Sequence, residues 1–223
     1  MGTLYIVSTP IGNLKDITLR AIETLKEVDY ILCEDTRITG KLLSAYKINQ
    51  EMVVFNDFNE NRKTPEIIGD LLKGKKIALV SDAGTPLISD PGYKLVRSAI
   101  ENNIKVESIS GQTAVISALT VSGQPPDKFL FFGYLPKKEG RRRKLLADIS
   151  SIVQTIKLTV VFFESPYRLI DTLKDIQSVF GNIDIVVLRE LTKIHEEVRH
   201  EKVTDSIEHF LNVKPKGEFT ILF

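Results

Sequence analysis

The sequence is poor in the residues that most often announce a chemistry. Only one of its 223 residues is cysteine, Cys33, which excludes an internal disulfide and a cysteine-based zinc cluster and suits a reducing cytoplasm. Charge of one sign is also lacking. The 30 Lys+Arg and 29 Asp+Glu leave a net charge of +1, so a polyanionic partner must be met by a local basic surface. No apolar run approaches the ~18 residues that a membrane span needs. Met1-Gly2-Thr3 leads straight into a strand pattern, without the charged start of a signal peptide. The familiar nucleotide and hydrolase signatures are missing too: no G-x-x-x-x-G-K-[ST], no G-x-G-x-x-G and no G-x-S-x-G. The three histidines make no metal motif. His195-Glu196 with His200 is not H-E-x-x-H, and on a helix the two rings would stand about 140° apart. We therefore expect a cytoplasmic protein with no membrane segment and no metal.

What is present is ordinary in bulk and patterned in detail. Hydrophobic residues make up 43% and charged residues 26%, as in a soluble globular protein long enough for one large domain or two small ones. Strand and helix patterns alternate, with no fixed-period repeat. Strands are expected at residues 4–7, 30–33, 52–55, 77–80 and 105–109. Helices are expected at 16–28, with Asp16 as N-cap, and at 38–46, 64–72, 93–102 and 113–120. Pro65 suits a first helical turn, and Gly74 a stop. Gly123-Gln124-Pro125-Pro126-Asp127 is the best linker. Beyond it strands are expected at 129–132, 158–163, 183–188 and 219–223, and helices at 141–149, 167–179 and around 206–211. The expectation is two α/β domains, 1–124 and 125–223, with mostly parallel or mixed sheets.

Several strands stop abruptly in turn-forming residues. Tyr5-Ile6-Val7 ends in Ser8-Thr9-Pro10-Ile11-Gly12-Asn13, and Leu79-Val80 ends in Ser81-Asp82-Ala83-Gly84-Thr85-Pro86. Ile109 ends in Ser110-Gly111-Gln112-Thr113-Ala114. Ligands of open α/β sheets bind outside the carboxyl ends of the strands. Taken singly, each loop is as readily a well-made βα turn as a ligand site. On parallel strands of one domain they would converge on one crevice, where Gly84 permits close approach and Asp82 and Thr85 offer an acceptor and a hydroxyl. Glu34-Asp35-Thr36-Arg37 is either a substrate contact or a helix start with a self-neutralising pair. Arg189-Glu190-Leu191-Thr192-Lys193 repeats the pattern, and Lys193 can act as a base only if burial or a neighbouring cation lowers its pKa. The dense basic run, Lys137-Lys138-Glu139-Gly140-Arg141-Arg142-Arg143-Lys144, is either a solvated helix start or a phosphate contact. Phe132 and Tyr134 lie near it for stacking.

Together these segments resemble the tetrapyrrole methylase superfamily, and within it the small-subunit rRNA (cytidine-2′-O)-methyltransferase branch. The resemblance rests on Tyr5 to Leu14, Cys33-Glu34-Asp35-Thr36-Arg37, Leu79 to Pro86 and Asp90-Pro91-Gly92-Tyr93. It rests also on Phe162-Phe163-Glu164-Ser165-Pro166-Tyr167-Arg168, Arg189 to Lys193 and Lys216-Gly217-Glu218-Phe219. It covers nearly the whole chain. It implies a homodimeric, two-domain α/β enzyme that binds S-adenosylmethionine (SAM) in the cleft between domains and methylates a cytidine ribose in the decoding region of small-subunit (16S) rRNA. Carried onto this chain, the implied cofactor residues are Pro10, Ile11, Gly12, Asp82, Gly84, Thr85, Pro86, Ile88, Gly111, Thr113, Ala114, Phe163 and Gly217. Candidates for the proton acceptor are Lys193, Asp35, Glu164 and Glu190. Arg37, Arg168, Arg189, Arg141, Arg142 and Arg143 stand as RNA contacts. The third loop departs from the family's Pro-Gly-Pro-Ser-Ala pattern, and many members continue past the Lys-Gly-Glu-Phe strand where this sequence stops at Phe223. Two other readings stand beside this one: methylation of a small tetrapyrrole, and a non-catalytic ribosome-binding or assembly protein.

Overall fold

The computed structural model describes residues 1–223, and packing divides them into two units, Met1–Thr113 and Ala114–Phe223. The first unit contains β1 (Thr3–Val7), α1 (Leu19–Glu27), β2 (Tyr30–Cys33), α2 (Thr36–Ala45), β3 (Met52–Val54), α3 (Glu60–Leu72), β4 (Lys76–Leu79), α4 (Tyr93–Glu101) and β5 (Lys105–Ile109). Its five strands are all parallel, in the order β3-β2-β4-β1-β5. Helices α1 and α2 cover one face, where Ala21, Leu25 and Leu43 pack on Val7, Ile31, Cys33 and Ala78. Helices α3 and α4 cover the other, where Ile67, Leu71, Leu95 and Ala99 pack on Leu4, Leu32 and Leu79. The connections leaving the neighbours β1 and β4 therefore depart to opposite faces, which opens a crevice at their carboxyl ends.

Two helix starts differ from expectation for physical reasons. Asp16 belongs to a short 3₁₀ turn, Leu14–Asp16, and α1 is capped instead by Thr18, whose hydroxyl accepts the Ala21 N–H at 3.1 Å. Helix α3 begins at Glu60, which leaves Pro65 inside it. Glu60 is only 5% exposed, and its carboxylate accepts the Gly92 and Lys94 N–H groups at 3.1 Å each. A carboxylate at the N-terminus of α4 is favourable, and this tertiary contact anchors the earlier turn of α3.

The second unit contains α5 (Ala114–Ser122), β6 (Phe129–Tyr134), α6 (Glu139–Thr155), β7 (Thr159–Glu164), α7 (Leu169–Phe180), β8 (Asp184–Arg189), β9 (Glu197–Lys202), α8 (Val203–Asn212) and β10 (Phe219–Leu222). The sheet is mixed, in the order β6-β7-β10-β8-β9. β6 runs parallel to β7, β10 antiparallel to both its neighbours, and β9 antiparallel to β8. Helix α5 lies ahead of the linker at Gln124, yet Val115, Ala118 and Leu119 pack on Val161, Val186 and Leu222 of the second sheet. Strand β9 was not expected from sequence. The segment read on helical spacing, His195 to His200, places His200 in that strand, with His195 in the loop before it. No helix is long and apolar enough to cross a membrane.

Arg142 corrects the reading of the basic run. Its side chain is 5% exposed and pairs with Asp175 of α7 at 2.6 Å, while Nη1 donates to the Lys137 carbonyl at 3.3 Å. It is a buried strut, and no phosphate reaches it. Removing one partner of such a pair strands a buried charge at a cost of about 3–5 kcal/mol. Asp175→Ala is expected to lower stability by about 3 kcal/mol in urea unfolding, whereas the apolar pair Arg142→Met with Asp175→Leu recovers most of that loss.

Candidate active site

In the first unit the three expected loops are tied together. After β1 the chain runs on through Ser8 and Thr9, and after β4 it reverses at residues 81–84. Thr9 and Gly84 then pair through two backbone hydrogen bonds of 2.8 and 3.1 Å. Gly84 has φ +79°, a conformation that favours glycine, and a Cβ there would press on Ile11 at 3.3 Å. The Thr9 hydroxyl donates to the Ser81 carbonyl at 3.2 Å. Thr85 Oγ1 donates to the Gln112 carbonyl at 3.2 Å, so in its 2.9 Å bond with Ser8 it accepts. Gly111 closes the set, because a Cβ there would stand 2.9 Å from that of Ser8. Pro10, Ile11, Asp82, Gly84, Thr85, Pro86, Gly111 and Thr113 thus belong to one cross-linked set of loops. Gly12 and Ile88 lie on its exposed parts, and Ala114 opens α5 of the second unit. Leu87 and Ser89 have φ +74° and +69°, so backbone strain gathers in the loop that follows Gly84.

Acidic side chains gather at this edge. The Asp82 N–H reaches Glu34 Oε1 at 3.4 Å, and the Asp35 N–H reaches Asp82 Oδ1 at 3.2 Å. Burial, and then the carboxylates of Asp90 and Asp82, push Glu34 up to about 7. Burial also raises Asp82. Asp35 goes the other way. The Arg37 side chain and N–H hold it at about 2, with Nη2 at 2.5 Å, and Asp35 serves as N-cap of α2. This is the self-neutralising helix start that the sequence left open, and Arg37 is 86% exposed at its side chain.

In the second unit the amino end of β10 lies between the carboxyl ends of β7 and β8, with Phe219 opposite both Glu164 and Arg189. Glu164 is buried and fully engaged. Arg168 pairs with it at 2.6 Å, the Ser165 N–H donates to it at 2.6 Å, and so does the Thr172 hydroxyl. Arg168 also donates to the Leu135 carbonyl at 3.0 Å, so it braces two loops. Arg189 donates to the Lys216 carbonyl at 2.7 Å and pairs with Glu197 at 3.4 Å. Phe163 packs edge-on against Phe131 and Tyr134, with ring centres 4.8 and 5.8 Å away. Arg141 is exposed, and Arg143 bonds to Ser178 at 2.8 Å.

Lys193, Glu190 and Glu218 form the cluster of greatest chemical interest. Lys193 Nζ lies 2.9 Å from both Glu190 and Glu218, and Glu190 Oε1 also accepts the Glu218 N–H at 2.9 Å. Burial works to lower the Lys193 pKa, but its bonds to Glu190 and Glu218 outweigh it and hold the amine above the usual lysine range. The condition for Lys193 as a base is not met in this arrangement, and it stands as an ammonium. Burial opposes ionisation of Glu190, yet Lys193 and the Glu218 N–H hold it below the usual carboxylate range. Gly217 has φ +89°, and a Cβ there would fall 2.5 Å from the Glu190 side chain, so this glycine makes room for Glu190. Glu218 was not singled out from sequence, although it lies within the Lys-Gly-Glu-Phe segment. No group of three or more His, Cys, Asp or Glu side chains is placed to hold a metal ion.

A parallel sheet whose loops are locked together beside half-buried acids has the α/β architecture that binds ligands outside the strands' carboxyl ends. The chain belongs to the tetrapyrrole (corrin/porphyrin) methylase family, whose sequence model matches residues 3–206. Over 222 residues it is 47% identical to a Thermotoga maritima protein named ribosomal RNA small subunit methyltransferase I, covering 100% of this chain and 98% of that one. A Rickettsia prowazekii protein of the same name is 47% identical over 219 residues, covering 98% and 77%. Among solved structures, a diphthine synthase has a TM-score of 0.78 at 12% identity over 99% of this chain and 89% of that one. Cobalt precorrin-4 methyltransferase has a TM-score of 0.73 at 17% identity over 99% and 94%. At these identities the two structures speak to the fold alone.

The pKa of Glu34 sets a pH dependence. A carboxyl raised to about 7 is largely neutral at pH 6 and ionised at pH 8. A cationic ligand should therefore bind more tightly as pH rises through 7, by up to about tenfold per unit of pKa lowered on binding. Without ligand the sign reverses: stability falls as pH rises from the unfolded carboxyl's range toward 7. Glu34→Gln should flatten the pH dependence of affinity and raise stability at pH 8 by about 1–2 kcal/mol, discounted for partial exposure. Calorimetric titration and thermal unfolding at pH 6 and 8 measure both.

Proposed function

We propose that the protein is a SAM-dependent methyltransferase of small-subunit ribosomal RNA, acting on the 2′-hydroxyl of a cytidine in the decoding region. The observation that carries this reading is the 47% identity to the Thermotoga protein over the full length of both chains. The first-unit loops fit the cofactor. SAM bears a sulfonium and an α-ammonium, and Glu34 and Asp82 are half-buried acids whose nearest charged neighbours include further acids. Asp82, the Gly84 and Gly111 backbone, Thr85 and the Ile11 side chain would hold it, with Pro10, Gly12, Pro86, Ile88, Thr113, Ala114, Phe163 and Gly217 as the remaining contacts implied by the family.

When bound, SAM supplies a methyl group already activated on sulfur. The chain must then align the acceptor hydroxyl, with reacting atoms ~3–3.5 Å apart, and take its proton. Glu164 has its oxygens engaged by Arg168, Ser165 and Thr172, and Asp35 is bound to Arg37. Lys193 is held as a cation. The proton-accepting role is therefore assigned to Glu190, whose Oε1 takes both the Lys193 and Glu218 bonds. Lys193 positions that carboxylate. Arg189 and the exposed cations of the basic run meet phosphates. The family resemblance also implies a homodimer working in the cytoplasm, and a sedimentation mass of one chain in solution would remove the dimer from this reading.

The test is incubation with labelled SAM and small subunits from a strain lacking this protein. Label on a cytidine ribose is expected. Label on a tetrapyrrole alone would replace the reading with small-molecule methylation, and no SAM binding would favour a non-catalytic assembly role. Within the reaction, Glu190→Gln and Lys193→Ala should each slow transfer by about 10²-fold or more with SAM affinity retained. A wild-type rate for Glu190→Gln would remove that residue from the chemistry.

A further inference from the structure

The turn between β7 and α7 has features that the proposed chemistry does not use. The Arg168 N–H bonds back to the Ser165 carbonyl at 3.0 Å, so residues 165–168 close a β-turn, with Ser165 and Pro166 at the positions those residues favour. The Tyr167 N–H adds a bond to Ser165 Oγ at 3.3 Å. Arg168 then anchors the turn from below, to buried Glu164 at 2.6 Å and to the Leu135 carbonyl at 3.0 Å. On this braced turn Tyr167 is 92% exposed. The loop that Arg168 grips leads directly to Lys137 and Lys138, both exposed, and Lys137 is held in turn through its carbonyl by buried Arg142. Exposed Arg141 and Lys144 follow on the first turns of α6. The one acid in this run, Glu139, lies 3.7 Å from Arg143.

From this we infer that Tyr167, with Lys137, Lys138 and Arg141, forms a docking surface for an unpaired RNA strand, in which the tyrosine ring stacks on a base and the cations meet flanking phosphates. Charge names the occupant. A cluster of exposed cations with a single acid among them suits a polyanion, and a ring offered edge-free to solvent suits the face of an unstacked base, which a duplex keeps covered. The bracing matters because a preorganised aromatic loses little freedom on binding. Arg168 and Arg142 are then positioning residues for this surface, not phosphate contacts. The inference rests on RNA as the substrate and adds a base-stacking position, Tyr167, beside cations already proposed to meet its phosphates.

The test is equilibrium binding of a labelled single-stranded RNA oligonucleotide to the full chain over a range of salt, with SAM affinity and thermal unfolding measured alongside. Tyr167→Ala should weaken binding by about 5- to 100-fold, and Tyr167→Phe should stay within about twofold, since the ring remains. Lys137→Gln with Lys138→Gln should reduce the slope of log affinity against log salt by about 1.4, at ~0.7 per phosphate contact for single strands. Unchanged affinity in Tyr167→Ala, an unchanged salt slope in the lysine variant, or equal affinity for duplex RNA would each overturn the proposal. Failure of methyl transfer with oligonucleotide binding intact would instead count against the proposed reaction and leave the surface standing.

Discussion

The site in the first unit depends on the pairing of Thr9 with Gly84. Strands β1 and β4 are parallel neighbours, but their crossover helices lie on opposite faces of the sheet, so the chain must part as it leaves them. Two backbone hydrogen bonds join the loops before they separate. That pairing requires the chain after β4 to reverse within residues 81–84, and the reversal requires the φ of +79° at Gly84. Once it is made, Ser8 and Thr85 come within hydrogen-bonding distance, and Thr85 reaches the third loop at Gln112. The hydroxyl protons then have a single consistent order, Ser8 to Thr85 to the Gln112 carbonyl, and each bond in such a chain polarises the next. The three loops are therefore held together by the chain's own hydrogen bonds. The third loop needs no proline for this, because Gly111 lets it lie directly against Ser8.

Buried carboxylates are treated in two opposite ways. Glu164 is 1% exposed and is met by an arginine, a backbone N–H and a hydroxyl, so its charge is fully answered within the fold. Glu34 and Asp82 are less buried but face other acids, and both resist ionisation. Glu34 and Asp35 are consecutive residues at a strand end, where successive side chains point to opposite sides. One turns toward the acidic cluster and rises to about 7, while the other caps α2 and falls to about 2. The lowered Asp35 is accounted for by its cap and ion pair, whereas the raised Glu34 has no such structural partner among its causes and is the candidate for a functional group.

Much of the fold was legible in the sequence because it is written in turn chemistry and apolar runs. The parallel strands of the first unit and the three loops after β1, β4 and β5 stand where Ser, Thr, Gly and Pro end an apolar stretch. Charge was the main source of misreading. Strand β9 carries Glu197, Arg199 and Glu201 on one face, and these pair among themselves, so it shows no apolar signal. Its edge position explains the composition, since charged edges discourage pairing with other chains. The basic run failed as a unit for the related reason that neighbouring arginines on a helix face different environments. Arg142 turns inward to Asp175 while Arg141 remains in solvent. The acidic partner lies 33 residues away, beyond any local pattern. The charge state of Lys193 was only partly legible: Glu190, three residues away, is visible in the local motif, but Glu218, which folding brings to the same amine from 25 residues away, is not.

A net charge of +1 conceals a local segregation of charge, which suits ligands of opposite sign at different places. The acids at the carboxyl ends of β2 and β4 belong to the first unit, and the exposed cations of residues 137–144 belong to the second. An RNA backbone approaching the acidic crevice meets repulsion, whereas a sulfonium is drawn to it. The basic loop discriminates in the reverse sense. Lys193 lies among Glu190 and Glu218, so that cluster sets one ammonium against two carboxyl groups. An ammonium already answered by two carboxyl groups is a poor seat for phosphate. The exposed cations of residues 137–144, with Glu139 as their one nearby acid in sequence, are by contrast left to solvent.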